Sequence, residues 1–143
     1  MIALTHLILG LAMAYLLDKR LITTSVFAVV PDFDKTFNFL YPFVSNGILH
    51  SLLAAFIFSL LVFIYSENIE STKSSLIGYL SHLGIDSLCQ PGVLLFFPYF
   101  SKISLGLATS TSFQWNLCII TISITAMFLK KNWESFRPFF SFQ

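Results

Sequence analysis

Apolar residues run along this chain in long blocks that are separated by short polar breaks. The blocks cover residues 2–17, 21–34, 47–65, 75–88 and 113–129. A helix that crosses a membrane needs about 20 predominantly apolar residues. Block 47–65 is therefore the clearest transmembrane candidate, whereas the first two blocks are short. The pattern predicts membrane helices of unequal length.

The polar breaks predict where these helices end. Asp18-Lys19-Arg20 closes the first block, and Lys130-Lys131 closes the last. The second block ends at Pro31-Asp32-Phe33-Asp34, where a proline and two carboxylates interrupt the apolar pattern. The polar stretch 66–75 is expected to be a loop. Because basic residues follow the first block and none precedes it, we interpret this block as a first membrane helix and not as a cleaved signal peptide.

Composition indicates that lipid surrounds the chain. Of 143 residues, 56% are hydrophobic and 10% are charged, and the mean hydropathy is +0.81. A soluble domain usually carries about a quarter charged residues. We therefore predict an all-α fold: an integral membrane helical bundle of roughly four to five apolar helices, some short, forming one domain over residues 1–143. The protein is expected to be a multi-pass protein of the cell membrane, with the lipid bilayer as its partner.

Other classes of protein lack support in the sequence. The net charge is +1 and no basic stripe is present, so we expect no binding to nucleic acid. Cys89 and Cys118 are too few for a disulfide framework or a zinc ribbon, and we interpret both as packing residues. The chain contains no phosphate-binding glycine loop, no dinucleotide fingerprint and no Gly-x-Ser-x-Gly motif.

Six ionisable side chains lie in or against the apolar blocks, where each would cost several kcal/mol without a partner, a wet cavity or a metal. They are His6, Asp32, Asp34, His50, His82 and Asp86. If the chain crosses once in each of the first four blocks, all six lie toward the same membrane face. Residues far apart in sequence then converge in depth, which predicts a single site.

The types and spacing of these residues favour a metal ion. His82 and Asp86 are four residues apart, so a helix places them on one face, where they can share a cation. Alternatively, Asp86 can orient the imidazole of His82 by accepting a hydrogen bond from it, without itself binding the ion. Asp32 and Asp34 can present two carboxylates at a helix end or turn. Imidazole nitrogen with carboxylate oxygen suits zinc, manganese or iron.

Each of these elements also has a purely structural interpretation. A single histidine in an apolar helix is often a hydrogen-bonded interior residue. The His82–Asp86 pair can be a structural hydrogen bond, and Pro31-Asp32-Phe33-Asp34 can be a turn with a cap. The metal interpretation gains weight because every histidine and three carboxylates would otherwise need separate explanations.

Four ordered motifs between residues 5 and 98 resemble those of a known family. They are Thr5-His6 with Gly10, Pro31-Asp32-Phe33-Asp34, Gly47-Ile48-Leu49-His50-Ser51, and Ser81-His82-Leu83-Gly84-Ile85-Asp86 followed by Gly92 and the run from Leu94 to Pro98. This set is similar to the YdjM-type membrane-bound metal-dependent hydrolases. The resemblance implies a distant relation to zinc-dependent phospholipase C and related nucleases, which are all-helical.

The resemblance also implies roles for the six residues. His6, Asp32, His50, His82 and Asp86 would be metal ligands, and Asp34 would be a ligand or a nearby base. One stretch departs from the family pattern, which has His-Arg-Gly-x-Thr-His-Ser before the third span. Ser45, Asn46 and Leu49 stand here where the family has His, Arg and Thr.

The leading hypothesis is metal-assisted hydrolysis at the membrane, acting on a phosphoester or lipid-derived substrate. A divalent ion, most simply zinc, would lower the pKa of a bound water, and Asp34 or Asp86 would be the general base. Two alternatives stay open: an intramembrane metal or proton carrier, and a structural or regulatory membrane protein with a vestigial site. If residues 75–101 make one crossing, the basic ends of the first and last blocks share the cytoplasmic side and the site faces outward.

Overall fold

The computed structural model describes residues 3–33, 48–99 and 101–133, and they are mostly helical. The helices are α1 (Ala3–Leu16), α2 (Leu21–Phe27), α3 (Leu52–Ser66), α4 (Ile69–Leu88) and α5 (Phe113–Lys131). A 3-10 turn at Val30–Asp32 follows α2. Strands β1 (Cys89–Gln90) and β2 (Ala108–Thr109) form a two-residue parallel pair within the connection between α4 and α5. Asp34 lies outside the described residues.

Polar side chains fix the starts of three helices by accepting backbone N–H groups that have no partner within the helix. Ser51 caps α3 by accepting from the Ala54 amide, and Ser112 caps α5 in the same way. The Asn68 side chain caps α4 and accepts from two successive amides. Glu67, with a φ of 49°, ends α3, so only two residues separate α3 from α4.

One predicted boundary was wrong, and two other features of the sequence can be compared with the structure. The stretch 66–75 is not a loop, because α4 begins at Ile69 directly after its Asn68 cap. The same helix ends at Leu88, where the fourth block ends, so residues 75–101 do not form the one continuous helix on which the predicted orientation was conditional. The second block is interrupted at its proline as the sequence indicated: a seven-residue helix is followed by a 3-10 turn, since Pro31 cannot donate the hydrogen bond that would continue the helix.

Successive helices alternate in direction, so the bundle has two chemically distinct ends. At one end the Lys130 ammonium contacts Asp18 at 2.6 Å and donates to the Tyr15 carbonyl at 2.7 Å. Lys19 contacts Glu70 at this same end, at 2.9 Å. We call this the basic end. It joins the last turns of α1 and α5 to the first turn of α4.

The central helix, α4, packs against α1, α2 and α3, whereas α5 packs mainly against α1. Glycines allow the closest approaches. A Cβ at Gly78 would collide with the Thr24 carbonyl oxygen, and one at Gly10 would lie 2.6 Å from the Ala28 Cβ. Small residues that let helix backbones approach this closely are typical of helix interfaces in membranes.

Among the described residues, buried polar side chains are as numerous as all other buried residues together, and the exterior is strongly apolar. Buried polar residues include Thr24, Ser74 and Ser75, whereas Phe56 and Phe113 are 63% and 71% exposed. A soluble protein rarely exposes apolar surface of this extent. Among the described residues, α5 is the one helix whose length and composition suffice to cross a membrane. The helices α1 and α3 are apolar but shorter, at 14 and 15 residues.

Candidate metal centre

The end opposite the basic end collects the ionisable residues predicted to converge. His6 comes from the first turns of α1, Asp32 from the 3-10 turn, and His50 from the residues just before α3. The last two turns of α4 contribute His82 and Asp86. The structure brings these five together, and Asp34 lies outside the described residues. Their role as metal ligands stays a prediction.

The carboxylate of Asp86 lies at the centre of the cluster and faces all three histidines. Its Oδ1 is 3.3 Å from His6 Nε2. Its Oδ2 is 3.3 Å from His82 Nε2 and 3.6 Å from His50 Nε2. The contact between His82 and Asp86 is the one that their four-residue spacing predicted. Both oxygens of Asp86 are therefore engaged with imidazole nitrogens.

A backbone carbonyl determines which nitrogen of His82 faces the cluster. His82 Nδ1 lies 2.8 Å from the Ala28 carbonyl oxygen. Because a carbonyl oxygen only accepts, Nδ1 donates its hydrogen there, and the neutral ring has its lone pair on Nε2. That lone pair points at Asp86 and His50. Metal-binding histidines are commonly oriented through such a bond from the nitrogen that does not bind the ion.

The position of His50 is fixed by the residues on either side of it. Ser51 caps α3, and its hydroxyl also donates to the Ile48 carbonyl at 2.7 Å. The buried Tyr79 hydroxyl donates to the Leu49 carbonyl at 2.6 Å. These bonds bring His50 Nε2 to 3.1 Å from His82 Nε2. Two imidazole nitrogens at this separation either share one hydrogen or bind a common cation.

His6 is fully buried and stacks on His82, with ring centroids 3.7 Å apart and an angle of 19° between the planes. Neither of its ring nitrogens forms a hydrogen bond with the described residues, although Nε2 lies 3.3 Å from Asp86 Oδ1. A buried polar nitrogen without a partner costs about 1–3 kcal/mol. His6, Asp32 and His82 each offer a ligand atom within 4.8 Å of the others. A cation in this group would supply the interaction that His6 lacks.

The geometry of His50, His82 and Asp86 matches that of a compact metal site. Their ligand atoms also lie within 4.8 Å of one another. In a tetrahedral zinc site with bonds of about 2.0–2.1 Å, neighbouring ligand atoms are about 3.3–3.4 Å apart. The separations of 3.1, 3.3 and 3.6 Å lie close to that value. The residues therefore fit a divalent ion.

A small cleft opens beside the cluster. It measures about 200 Å³ and is lined by Ala3, Val29, Asp32 and Phe33. Apart from the Asp32 carboxylate, these side chains are apolar.

Sequence reasoning missed several residues that position the site. The Ala28 carbonyl has no sequence signature, because every residue carries one. Tyr79 precedes His82 by three residues, so the sequence could have predicted a tyrosine hydroxyl on the same face of α4 as His82. Asn116 accepts from the Thr5 hydroxyl at 2.7 Å and joins α5 to α1 beside His6. An amide in an apolar span was the signal there.

Comparison with known proteins identifies the family. The profile described as YdjM inner membrane protein matches residues 1–142. The chain belongs to the YdjM inner membrane protein family. No curated protein and no solved structure matches it. The expected similarity to zinc-dependent phospholipase C stays a prediction.

Membership confirms the recognition made from the sequence motifs, and it agrees with the expected location in a cell membrane. Among its described residues, this YdjM-family chain also holds two largely buried His/Asp groups, which share His82, that could bind a metal ion. The family description names neither a reaction nor a metal. Hydrolysis and the identity of the ion therefore belong to the proposal that follows.

Proposed function

We propose that this protein is a membrane-bound metal-dependent hydrolase acting on a phosphoester or lipid-derived substrate. One observation carries the proposal: the Nε2 atom of each of three buried histidines lies within 3.6 Å of one of the two oxygens of Asp86. Ionisable groups are retained inside an apolar bundle when a function or a bound ion compensates for their desolvation.

Zinc is the ion that best suits this donor set. Neutral imidazole nitrogens and a carboxylate at tetrahedral spacing are typical of catalytic zinc sites, which leave one position open for water or substrate. Bound there, zinc would supply Lewis acidity and lower the pKa of a water molecule. Manganese and iron accept the same ligand types.

The chain's own residues would divide the work. His50 and His82 would hold the ion, and the Ala28 carbonyl would keep His82 Nε2 aimed at it. Asp86 would bind and orient, because both of its oxygens face histidines. The role of general base that the sequence predicted for Asp34 or Asp86 therefore falls more naturally to Asp34.

The two ends of the bundle support a multi-pass arrangement in which the metal site faces away from the cytoplasm. Basic residues accumulate on the cytoplasmic side of membrane helices. Five of them lie at the basic end: Lys19, Arg20, Lys73, Lys130 and Lys131. At about 1.5 Å per residue, the 19 residues of α5 extend about 28 Å, close to the thickness of the hydrocarbon core.

Cysteine labelling in intact cells tests this orientation. In a Cys118→Ser background, Lys102→Cys lies in the connection before α5, and Lys131→Cys lies at the basic end. A membrane-impermeant maleimide should label Lys102→Cys from outside and should label Lys131→Cys only after the membrane is opened. The reverse pattern would place the site on the cytoplasmic side and contradict the proposed orientation.

The hydrolase proposal is tested with purified protein in detergent. Bis(p-nitrophenyl) phosphate and glycerophospholipid micelles would serve as substrates, with zinc or manganese added. We expect hydrolysis that a chelator abolishes and that His50→Ala reduces at least a hundredfold. Asp18→Asn is the matched control, because it removes a carboxylate at the opposite end. Hydrolysis that is equal in His50→Ala and wild type would refute the proposal.

One observation favours the carrier as a second candidate. Buried hydroxyls of α4 continue from the site toward the basic end, including Ser74 and Ser75. However, these two donate to carbonyls of their own helix, at 2.6 and 2.8 Å, which is how serine is accommodated in a buried helix. Zinc or proton flux into proteoliposomes that is lost in His50→Ala would support the carrier instead.

A further inference from the structure

Residues 89–112 join α4 to α5 at the end of the bundle that holds the His/Asp cluster, and we call them the connecting segment. Lys102 is the one charged residue among these 24. Phe96, Leu105 and Leu107 are large apolar residues of the segment, and the two leucines are 67% and 63% exposed. A loop that faces water rarely presents so much apolar surface to it. The outer surface of the segment therefore matches the apolar exterior of the helices and differs from the charged basic end.

The connecting segment also provides hydrogen-bond partners for backbone groups at the end of α4. The amides of Leu105 and Leu107 donate to carbonyls in the last turn of that helix, both at 2.9 Å. Within the segment, Val93 and Ile103 exchange two backbone hydrogen bonds, at 3.0 and 2.9 Å. The last carbonyls of a helix have no partner within it, and lipid supplies no water to bind them. Irregular backbone at membrane depth therefore requires protein partners of this kind.

Helix lengths place the connecting segment within the thickness of a bilayer. The Arg20 amide donates to the Ser74 hydroxyl at 3.2 Å, so Ser74 lies level with the charged turn between α1 and α2. From Ser74 to Leu88, α4 extends about 21 Å, and the 14 residues of α1 extend about the same distance. The hydrocarbon core is about 30 Å thick. With the basic end at one membrane surface, both helices end about 9 Å below the other surface.

We propose that the connecting segment is embedded in the leaflet at this end of the bundle, where its exposed apolar side chains contact lipid acyl chains. Lys102 would extend to the headgroups, as long basic side chains do near a membrane surface. The His/Asp cluster then lies below the membrane surface, because the segment packs over the turn of α4 that carries Asp86.

This inference rests on membership of an inner membrane protein family and on the apolar surface of the segment, and not on the proposed hydrolysis. Either proposal can therefore fail without the other. Taken together, the two limit the substrate to molecules that dissolve in this leaflet, because the cluster would lie at the depth of the acyl chains.

Site-directed spin labelling in phospholipid vesicles measures which phase surrounds each side chain. In the Cys118→Ser background, Leu105→Cys and Leu107→Cys carry the label on the segment. Ile124→Cys on the exposed face of α5 is the lipid reference, and Lys102→Cys is the reference near water. Oxygen concentrates in lipid, whereas a nickel chelate stays in water. The ratio of oxygen to nickel collisions at both leucine positions should equal that at Ile124→Cys and exceed that at Lys102→Cys severalfold.

Two results would overturn the proposal. Frequent nickel collisions at the leucine positions would mean that water covers the segment and that the bilayer thins around the short helices instead. Infrequent collisions with both reagents would mean that a second protein chain covers it. The labelled variants are compared only after each elutes like the wild type in size-exclusion chromatography.

Photolabelling of the wild-type chain provides a second measurement that no substitution can disturb. A phosphatidylcholine with a diazirine on its acyl chain is added to the same vesicles, and the irradiated protein is digested and analysed by mass spectrometry. Adducts should form between Phe96 and Leu107 as well as on the exposed face of α5. Adducts on α5 with none on the connecting segment would contradict the proposal.

Discussion

The contact between α2 and α4 at Gly78 supports both the packing of the bundle and the geometry of the site. A Cβ at this position would collide with the Thr24 carbonyl oxygen and lie 2.9 Å from its carbon and 3.1 Å from the Ala28 nitrogen. All three atoms belong to backbone and cannot rotate away. Gly78→Ala therefore requires α2 and α4 to separate by on the order of 1 Å, as in other overpacked cores.

Gly84 in the same helix is a matched control, because a Cβ there would meet nothing within 4 Å. Alanine at either position gains about 1 kcal/mol of helix propensity, so that gain cancels when the two variants are compared. What remains is the overpacking cost of about 1–3 kcal/mol. At about 3 °C per kcal/mol for a chain of this size, Gly78→Ala should melt about 3–9 °C below Gly84→Ala.

The comparison is made by thermal unfolding of both variants in the same detergent, followed by tryptophan fluorescence. Metal content should fall in Gly78→Ala as well, because the displaced segment carries the Ala28 carbonyl that orients His82. It should be unchanged in Gly84→Ala. If Gly78→Ala melts at or above Gly84→Ala, the close contact between the two helices is not as described and the reasoning fails.

Three further variants probe the supports of the site and of the opposite end. Tyr79→Phe removes the donor to the Leu49 carbonyl, and we expect a roughly 3- to 10-fold loss of metal affinity by titration, the equivalent of about 1 kcal/mol for one hydrogen bond. Asn116→Ala leaves the buried Thr5 hydroxyl without its acceptor and should lower the free energy of unfolding by about 1–3 kcal/mol in denaturant titrations. Glu70→Gln should lower the melting temperature at pH 7 and leave it unchanged near pH 2. The hydrogen bond from Lys19 lowers the pKa of Glu70 from 4.5 to about 2. The ionised Glu70 carboxylate therefore stabilises the fold fully above pH 4.5, and this stabilisation is lost as the pH falls through 2.

Controls and contrary outcomes are specific to each variant. Tyr79→Phe should leave the melting temperature within a few degrees, and unchanged metal affinity would mean that this hydrogen bond does not hold His50 in place. Asn132→Ala, at the last turn of α5, should be nearly neutral, and an equal loss in both asparagine variants would contradict the reasoning for Asn116. A Glu70→Gln effect that persists at pH 2 would show that its ion pairs are not the cause.

The convergence of the site residues at one end of the bundle was predictable from the alternating direction of successive apolar blocks. His82 and Asp86 are separated by about one turn of α4 and lie on one face, as their spacing requires. The depth of His6 and His50 follows once successive apolar blocks run in opposite directions. The distances between the site residues could not be predicted from the sequence. They depend on which faces of α1 and α4 meet, and that depends on close contacts such as the one between Gly10 and Ala28.

The start of α4 was mispredicted for a physical reason. Ser71, Ser74 and Ser75 look like loop residues in the sequence, yet all three are buried in the helix. Hydroxyls that bond to the preceding turn carry no unsatisfied group into an apolar interior, so a serine-rich segment can remain helical there. Hydropathy cannot distinguish this arrangement from a solvated loop.

The end of the second block was predicted more closely. Its proline was expected to interrupt the apolar pattern at a helix end or turn, and Pro31 lies in a 3-10 turn that presents Asp32 beside His6. The turn is therefore the means by which the carboxylate reaches the site. The proline was visible in the sequence, whereas the direction in which Asp32 points was not.

X-ray absorption at the K edge of the metal that copurifies with the protein tests the central claim most directly. The account predicts a first shell of nitrogen and oxygen at about 2.0–2.1 Å with the outer-shell scattering of imidazole, if that metal is zinc. Both the edge and that shell should disappear in His82→Ala/Asp86→Ala and persist in Asp18→Asn. A protein that binds no transition metal, or an unchanged imidazole shell in the double variant, would contradict the account.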